Sequence, residues 1–261
     1  MPVITLSTDF GWDDPYVGIM KGVILGINPR ASLVDITHGL SPQRLPEAAF
    51  KLAAIADYFP QGTIHLAVVD PGVGSDRRPL LVQTKGRYWI GPDNGLFTRV
   101  LQVQREAKVF HLSNFRFFLK PISNTFHGRD IFAPAAAHIS RGLSPSALGK
   151  RITDPLLLDW PEPSFQKGTL PGQVIYADRF GNLITDLSRG IIGKYFRGNE
   201  ITVRIGSRVI RGIQKNYTPQ KPGRLLALFV SSGFLEIARS LGSAAEMLGY
   251  NPEKGMAVRV S

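Results

Sequence analysis

The chain has 261 residues, 43% of them apolar and 20% charged, which is enough for one large domain or for a large and a small one. It contains no cysteine, which excludes disulfides and thiolate zinc sites. The 31 basic and 20 acidic residues give a net charge of +11, which is compatible with a nucleic-acid partner. The basic residues are scattered, however, and no RNA-binding aromatic signature is present, so a basic solvated surface is the favoured interpretation and nucleic acid is not expected as the partner.

The sequence argues against a membrane protein. No stretch reaches the roughly 18 apolar residues that a membrane span requires. The first ten residues, MPVITLSTDF, lack the basic region and the long apolar stretch of a signal peptide. We therefore expect a cytoplasmic protein with no membrane partner.

The first half of the chain alternates between strand-like and helix-like runs. Helices are predicted over residues 16–27 and 45–58, and strands over PVITLS, SLVDIT, TIHLAVVD, PLLVQT and YWI. This alternation predicts an α/β domain over residues 1–151, with a largely parallel sheet flanked by helices. Such sheets bind ligands at the carboxyl ends of their strands, and Asp9 and Asp70 follow two of the predicted strands.

The pattern changes after residue 151. Residues 152–171 are rich in proline and predict a stiff linker, with Pro155, Pro161, Pro163 and Pro171. Residues 172–261 contain short β-like runs between Gly, Asn and Pro turns, which predict a small β-barrel domain. The stretch 234–241 is amphipathic and is interpreted as a helical turn. This second domain holds 13 Lys/Arg and 6 Asp/Glu, a net charge of +7.

The first motif, STDFGWDD, begins at Ser7 and places Asp9 at a strand end. Asp9, Asp13 and Asp14 together suit a divalent metal site, because hard cations bind carboxylate oxygens. Alternatively, Asp9 alone accepts hydrogen bonds from a ribose diol, as an acid after a strand does in nucleotide-binding folds. Asp13 or Asp14 also suits the N-cap of the next helix. Because no histidine lies nearby, we favour a functional role for Asp9 and capping for the other two.

The second motif is VVDPGVGSDRR, in which Asp70 follows an apolar strand. Pro71 and the glycines indicate a tight turn, from which Arg77 can fold back over the carboxylate. A nearby arginine keeps a carboxylate ionised and available as a hydrogen-bond acceptor. A purely structural salt bridge is an equally good interpretation of this pattern alone.

Two further motifs contain side chains suited to a ligand. In NTFHGRD, His127 precedes Gly128, where a ligand can approach closely. In YADRFGNLITD, one turn contains Asp178, Phe180 and Asn182, and an aromatic face beside an amide suits a purine or a ribose. A plain hairpin turn is equally natural there. The remaining histidines are interpreted as structural, namely His38, His65, His111 and His138.

Taken in order, STDFG, VVDPGVGSDRR, GPDNG, TFHGRD, DRFGN and SSGFLEIA resemble the S-adenosyl-L-methionine (SAM) hydroxide adenosyltransferase family, which is related to the bacterial fluorinase and chlorinase. The resemblance extends from Ile4 to Val260. It implies a large α/β domain, a small C-terminal β-barrel and a homotrimer, with each site shared between one subunit's N-terminal domain and its neighbour's C-terminal domain. It also implies hydrolysis of SAM to adenosine and L-methionine, with SAM as the substrate and no metal or other cofactor.

The resemblance further implies a role for each matching residue. Asp70, Arg77 and His127 form a triad that positions the attacking water or hydroxide, and Asp9 holds the ribose hydroxyls. In the C-terminal domain, six positions match contacts to the rest of the substrate: Asp178, Phe180, Asn182, Ser231, Glu236 and Arg239.

The chain departs from its halogenating relatives at two positions. These relatives carry a tyrosine where this chain has Asp70, and a halide-binding serine where it has Gly128. A carboxylate repels a halide but accepts a hydrogen bond from water, so we expect water as the nucleophile. Gln43 stands where relatives often have an aromatic ring, which leaves the packing there open.

The rival interpretations are a SAM-dependent halogenase of the same fold, a metal-dependent phosphatase, and a basic adenosine- or nucleic-acid-binding module without catalysis.

Overall fold

The computed structural model describes residues 1–104, 106–160, 162–196, 201–217 and 221–261. The chain divides into two compact units, Met1–Asp159 and Trp160–Ser261. This division falls inside the predicted linker, whose stiffness stays a prediction. Pro161, one of the linker prolines, lies outside the described residues.

The first unit is built on a seven-stranded sheet with the order β2-β1-β3-β5-β4-β6-β7. Its strands are β1 (Val3–Thr8), β2 (Ser32–Thr37), β3 (Ile64–Val68), β4 (Pro79–Thr84), β5 (Arg87–Pro92), β6 (Lys108–Leu112) and β7 (Gly149–Ile152). Its α-helices are α1 (Tyr16–Ile27), α2 (Leu45–Ile55), α3 (Thr98–Val103), α4 (Ala133–Ser140) and α5 (Pro145–Leu148). The predicted α/β class is confirmed.

The sheet is parallel in one half and antiparallel in the other. Strands β2, β1, β3 and β5 pair in parallel, whereas β4 pairs antiparallel with both β5 and β6, and β6 with β7. Only Lys85 and Gly86 separate β4 from β5, and Gly86 has a φ of +78°. So short a turn joins antiparallel neighbours, because a parallel pair requires a long crossover.

Apolar cores cover both faces of this sheet. In β3 and the residue that follows it, Leu66 and Val68 belong to one core, and Ala67 and Val69 belong to the other. This division follows from the alternation of side chains along a strand. The first core contains side chains of α1 and α4, and the second contains side chains of α2 and α3. Strand β3 is therefore buried on both faces and leads directly to Asp70.

Helix α1 matches the predicted range, but its N-terminus differs from the expectation. Pro15 occupies the N-cap position, and no side chain caps the helix. The expected capping by Asp13 or Asp14 is therefore wrong. Both residues precede the N-cap, outside the position from which a carboxylate accepts the free N–H groups of the first turn.

The second unit is a seven-stranded antiparallel sheet with the order β11-β10-β14-β8-β9-β13-β12. Its strands are β8 (Leu170–Ala177), β9 (Leu183–Ser188), β10 (Thr202–Ile205), β11 (Arg208–Arg211), β12 (Leu225–Phe229), β13 (Phe234–Arg239) and β14 (Ala257–Val260). Two short helices accompany them, α6 (Arg189–Tyr195) and α7 (Ala244–Leu248). An isolated bridge between Gln214 and Leu228 brings the two ends of the sheet close together, so the sheet is nearly a closed barrel. The predicted small β-barrel is confirmed.

The interpretation of residues 234–241 as a helical turn is wrong. Most of this stretch forms β13, which pairs antiparallel with β12 on one side and with β9 on the other. A single helical turn satisfies few of its own backbone groups, because nucleating a helix fixes several residues for one hydrogen bond. A strand between two neighbours satisfies nearly all of them, and tertiary pairing therefore overrides the local pattern.

In the ranges that the structure describes, no helix is long and apolar enough to cross a membrane. The cytoplasmic location stays a prediction.

Candidate active site

A cavity of about 350 Å³ lies in the first unit and is lined by residues at the carboxyl ends of β1 and β3. These strands are adjacent and parallel, with Thr8 opposite Val68. Asp9 follows β1 directly, and Asp70 follows β3 after one residue. Both carboxylates line the cavity because neighbouring parallel strands end at the same edge of a sheet.

Arg77 joins Asp70 to His127. Its Nε donates a hydrogen bond to Asp70 Oδ1 at 2.9 Å, and its Nη2 donates to Asp70 Oδ2. The same Nη2 lies 2.7 Å from His127 Nδ1. The side chains of Asp70 and Arg77 are 5% and 7% exposed. Asp70 and His127 line the cavity whereas Arg77 does not, so the arginine orients both groups from behind.

Burial and the contact with Arg77 together favour the neutral form of His127. A guanidinium only donates, so His127 Nδ1 accepts and the neutral ring carries its proton on Nε2. Burial lowers the pKa of His127 below its ordinary value, and the positive charge of Arg77 lowers it further. The charges of Asp70 and Asp130 and a hydrogen bond with the backbone of Ser123 oppose this lowering without reversing it, so the imidazole is uncharged at neutral pH.

A glycine allows the two motif loops to meet. Gly74 has a φ of +79°, and a Cβ there would lie 2.3 Å from the backbone oxygen of Asn124. Any other residue would collide with the loop that leads to His127, besides adopting a left-handed backbone that glycine favours. This close approach brings Arg77 within reach of both of its partners.

Three aromatic rings form another wall of the cavity. Phe10, Tyr16 and Phe126 pack edge to face, with ring centroids 5.3–6.0 Å apart. This aromatic wall presents an apolar, polarisable surface of the kind that suits a purine or a ribose. Sequence analysis did not identify these residues, although Phe10 and Phe126 stand inside two of the motifs.

The carboxylate of Asp9 is held by the backbone of Gln43, which has an unusual conformation. Its Oδ2 accepts a hydrogen bond at 3.3 Å from the backbone N–H of Gln43, which has a φ of +62°. A positive φ is uncommon for glutamine and indicates that the surroundings impose it. Burial raises the pKa of Asp9, the charge of Asp70 adds to the rise, and the hydrogen bond from Gln43 opposes it.

A partly buried hydrogen-bond network supports the turn that contains Asp9. His38 Nδ1 lies 2.8 Å from Thr8 Oγ1, and His38 Nε2 lies 3.0 Å from Asp35 Oδ1. Thr8 Oγ1 also accepts a hydrogen bond from the backbone N–H of Phe10. Burial acts to raise the pKa of Asp35, but hydrogen bonds from His38 and Lys21 lower it overall. His38 is thus structural, as expected, and it ties strand β2 to the active-site turn.

In the second unit, Asp178 organises the turn between β8 and β9. Its Oδ1 accepts hydrogen bonds from the backbone N–H groups of Phe180 and Asn182, each at 2.9 Å, and its Oδ2 accepts from Asn182 Nδ2 at 3.1 Å. These bonds fix a tight turn from which the ring of Phe180 projects, 79% exposed. The ring is therefore available to contact a ligand.

Glu236 is buried beside a tyrosine that sequence analysis did not identify. Tyr217 Oη donates a hydrogen bond to Glu236 Oε1 at 2.9 Å. Burial raises the pKa of Glu236 to about 7, and the charge of Asp178 contributes. Asp178, Asn182 and Glu236 therefore lie in one neighbourhood of the second unit. Ser231 lies exposed between β12 and β13, and Arg239 is the last residue of β13.

We expect Glu236 to make the protein less stable at pH 8 than at pH 5. Its carboxyl has a pKa of about 7 when folded against an ordinary 4.5, so the folded state binds more protons in this range and rising pH favours unfolding. Glu236→Gln keeps an acceptor for Tyr217 but does not titrate. It should raise the free energy of unfolding at pH 8 by roughly 2 kcal/mol and change it little at pH 5.

Urea denaturation at both pH values measures this difference. Glu253→Gln, at an exposed position, serves as the control and should change neither value. An equal response of the two variants at pH 8 would contradict the raised pKa.

Among the residues that the structure describes, no three His, Asp or Glu side chains lie close enough together to bind a metal ion. Asp13 and Asp14 are exposed, and Asp9 points its Oδ2 to the backbone of Gln43. The sequence-based alternative of a carboxylate metal site over these three residues therefore has no counterpart in the geometry.

Comparison with known proteins identifies the family. The model of the SAM hydroxide adenosyltransferase N-terminal domain matches residues 4–149, and that of the C-terminal domain matches residues 172–257. An (R)-S-adenosyl-L-methionine hydrolase of Thermus thermophilus is 40% identical over 99% of both chains. One of Methanocaldococcus jannaschii is 35% identical over 96% of this chain and 93% of that protein.

A more distant relative and a solved structure are similar to this chain over its whole length. A fluorinase of an Actinoplanes species is 26% identical over 100% of this chain and 97% of that protein. The crystal structure of an uncharacterized conserved protein from Thermotoga maritima is 34% identical and superposes with a TM-score of 0.91, covering 100% of this chain and 99% of that one. Because both domain models match in order over most of the sequence, this chain belongs to the SAM hydroxide adenosyltransferase family.

Proposed function

We propose that this protein hydrolyses SAM to adenosine and L-methionine by in-line attack of water or hydroxide on C5′ of the substrate. The arrangement that carries the proposal is Asp70, Arg77 and His127 at the wall of the cavity. Relatives at up to 40% identity named as SAM hydrolases support it.

The chemistry requires little beyond positioning. The new C5′–O bond forms as the C5′–S bond breaks, and the electron pair of that bond neutralises the sulfonium. Methionine thus leaves as a neutral thioether, so its departure needs no acid, no metal and no other cofactor. The protein must hold an oxygen about 3 Å from C5′ and in line with the C–S bond, which is a proximity effect.

Asp70 and His127 offer complementary groups for that oxygen. Each Asp70 oxygen accepts one hydrogen bond from Arg77 and retains a lone pair for a proton of the attacking water. The Nε2–H of His127 donates to one lone pair of the water, which leaves the other lone pair for C5′. Arg77 keeps Asp70 ionised and oriented, and Asp70 or solvent takes the proton that the water loses.

The remaining residues bind substrate in this proposal. Asp9 holds the ribose hydroxyls, and the second unit contacts the rest of the substrate through Asp178, Phe180, Asn182, Ser231, Glu236 and Arg239. We place these residues of a neighbouring subunit at each site, in a homotrimer, on the strength of the family membership. Light scattering tests this part and should give three times the mass of one chain.

Gly128 favours water over halide. A Cβ at this position would lie 3.1 Å from Met20 Sδ and 3.2 Å from the ring of Phe126, so the serine of the halogenating relatives would be crowded here. Asp70 adds a negative charge where a halide would enter. Both observations weigh against the halogenase alternative.

Hydrolysis in oxygen-18 water tests the proposal. Mass spectrometry should find the label in the 5′-hydroxyl of adenosine, because the attacking oxygen comes from solvent. The same reaction with the Asp70→Asn variant gives the background level of labelled adenosine. Label in methionine, or a 5′-halo product dominating in chloride, would refute the hydrolase assignment.

Activity should survive excess EDTA, and a loss restored by magnesium or zinc would favour the phosphatase alternative.

A further inference from the structure

The second unit contains a groove that the proposed reaction does not use. This open groove has a volume of about 610 Å³ and is lined by four arginines, Arg204, Arg208, Arg211 and Arg224. We call it the arginine groove. Gln214, Gly223 and apolar residues complete the lining, among them Val209, Leu226 and Met247. None of the residues proposed to bind SAM lines it.

Two separate segments supply the arginines. Strands β10 and β11 form a hairpin whose core-facing side chains include Val203 and Ile205, so Arg204 and Arg211 lie on its outer face. Arg208 begins β11 opposite Ile205 and is also exposed. Arg224 comes from elsewhere in the sequence, directly before β12. The near closure of the barrel brings these segments together, so the four cations meet around one concavity.

The positive charge of the groove has no counter-charge among the residues described. No acidic side chain is found in its lining, and no salt bridge or side-chain hydrogen bond joins the four guanidinium groups to another described residue. Elsewhere the protein does pair its arginines, as Arg77 with Asp70 and Arg129 with Asp130. Four like charges around one cavity repel each other and attract an anion.

The guanidinium groups and the volume of the groove indicate which kind of anion it binds. A guanidinium presents a planar fork of donors that matches the oxygens of a phosphate. Four such forks exceed what one phosphate neutralises, and the volume is in the range of small-molecule sites. A nucleic acid strand is less suited, because no aromatic ring lines the groove for bases to stack on. We propose that the arginine groove binds a compact ligand with two or more phosphate groups, either a nucleoside triphosphate or an inorganic oligophosphate.

Calorimetric titration with inorganic triphosphate, and separately with ATP, tests this site in the full-length protein at physiological salt. We expect one ligand per chain. The double variant Arg204→Gln/Arg211→Gln should weaken binding about tenfold or more, because each arginine lost removes hydrogen bonds to a charged group. The double variant Arg116→Gln/Lys254→Gln removes the same charge from exposed positions elsewhere and should change affinity less than about twofold.

A third variant separates specific recognition from general attraction. Arg204→Lys/Arg211→Lys keeps the charge but loses the planar forks, and should also bind about tenfold more weakly. Tighter binding of ATP than of triphosphate identifies a nucleotide as the ligand, and equal affinity identifies an oligophosphate. All variants should keep the wild-type melting temperature and SAM turnover, so this proposal and the proposed function can fail independently.

Results of three kinds would overturn the proposal. One is the absence of triphosphate binding. Another is equal weakening in the control variant, or wild-type affinity in the lysine variant. The third is binding of duplex DNA that strengthens with its length and that triphosphate does not displace, which would identify the groove as a nucleic-acid surface.

Discussion

Asp70→Asn should lower the turnover of SAM by roughly 10²-fold or more, the usual scale of a general acid–base contribution. Asp70 lines the cavity and accepts two hydrogen bonds from Arg77. An amide has only one oxygen, so its NH2 group would face either Arg77, which also donates, or the attacking water, where an acceptor is required. The KM for SAM should change little, because in our proposal Asp9 and the second unit hold the substrate.

Chromatography of adenosine, with melting temperatures recorded alongside, measures these effects. Asp76→Asn is the matched control, since Asp76 is an exposed aspartate of the same loop and its variant should retain turnover. His127→Ala should resemble Asp70→Asn, because both remove a group that contacts the water. If folded Asp70→Asn protein turns over normally, Asp70 is a structural partner of Arg77 and the triad assignment is wrong.

Arg77→Met should destabilise the fold by about 3 kcal/mol and abolish most of the turnover. Both side chains of this ion pair are more than nine-tenths buried, so removing the guanidinium leaves a buried carboxylate with no counter-charge from Arg77. His127 loses the donor that holds its ring at the same time. Most of the cost is therefore that of an uncompensated buried charge, which exceeds the net contribution of the pair.

Urea denaturation at neutral pH measures the loss of stability, and turnover is compared at a temperature where every variant is folded. Arg77→Lys should fall between the wild type and Arg77→Met, because lysine keeps the charge but loses the planar fork. Arg116→Met, at an exposed position, should leave both quantities nearly unchanged. A loss of stability no larger than that of Arg116→Met would show that the pair is not coupled to the fold.

Local patterns in the sequence were sufficient for most elements of the first unit. The range predicted for the first helix coincides with α1, whose buried side chains Val17, Met20 and Ile24 recur at helical spacing. The meeting of Asp9 and Asp70 was also predictable, because parallel neighbours end at the same edge of a sheet. These features follow from residue periodicity and from the geometry of one sheet.

Where two structures satisfy the same local pattern, the sequence did not decide between them. Residues 234–241 have an apolar spacing compatible with a helical turn. Most of them nevertheless form a strand, because β9 and β12 supply hydrogen-bond partners on both sides. For the turn before α1, the sequence offered two candidate caps, Asp13 and Asp14, but Pro15 takes the N-cap position. For the strand, the deciding hydrogen bonds come from β9 and β12, outside the local pattern.

The amino-acid sequence by itself determined the α/β and β-barrel classes, the strand ends that lead to Asp9 and Asp70, and, through its motifs, the family. Local sequence also suggested that Arg77 folds back over Asp70, but only the tertiary structure decided which side chains of separate segments meet. Arg77 and His127 are 50 residues apart and meet because Gly74 lets their loops touch at Asn124. The Tyr217–Glu236 hydrogen bond and the arginine groove likewise join separate segments. Periodicity reports which face of an element is buried, whereas these contacts depend on where the packed core directs each loop.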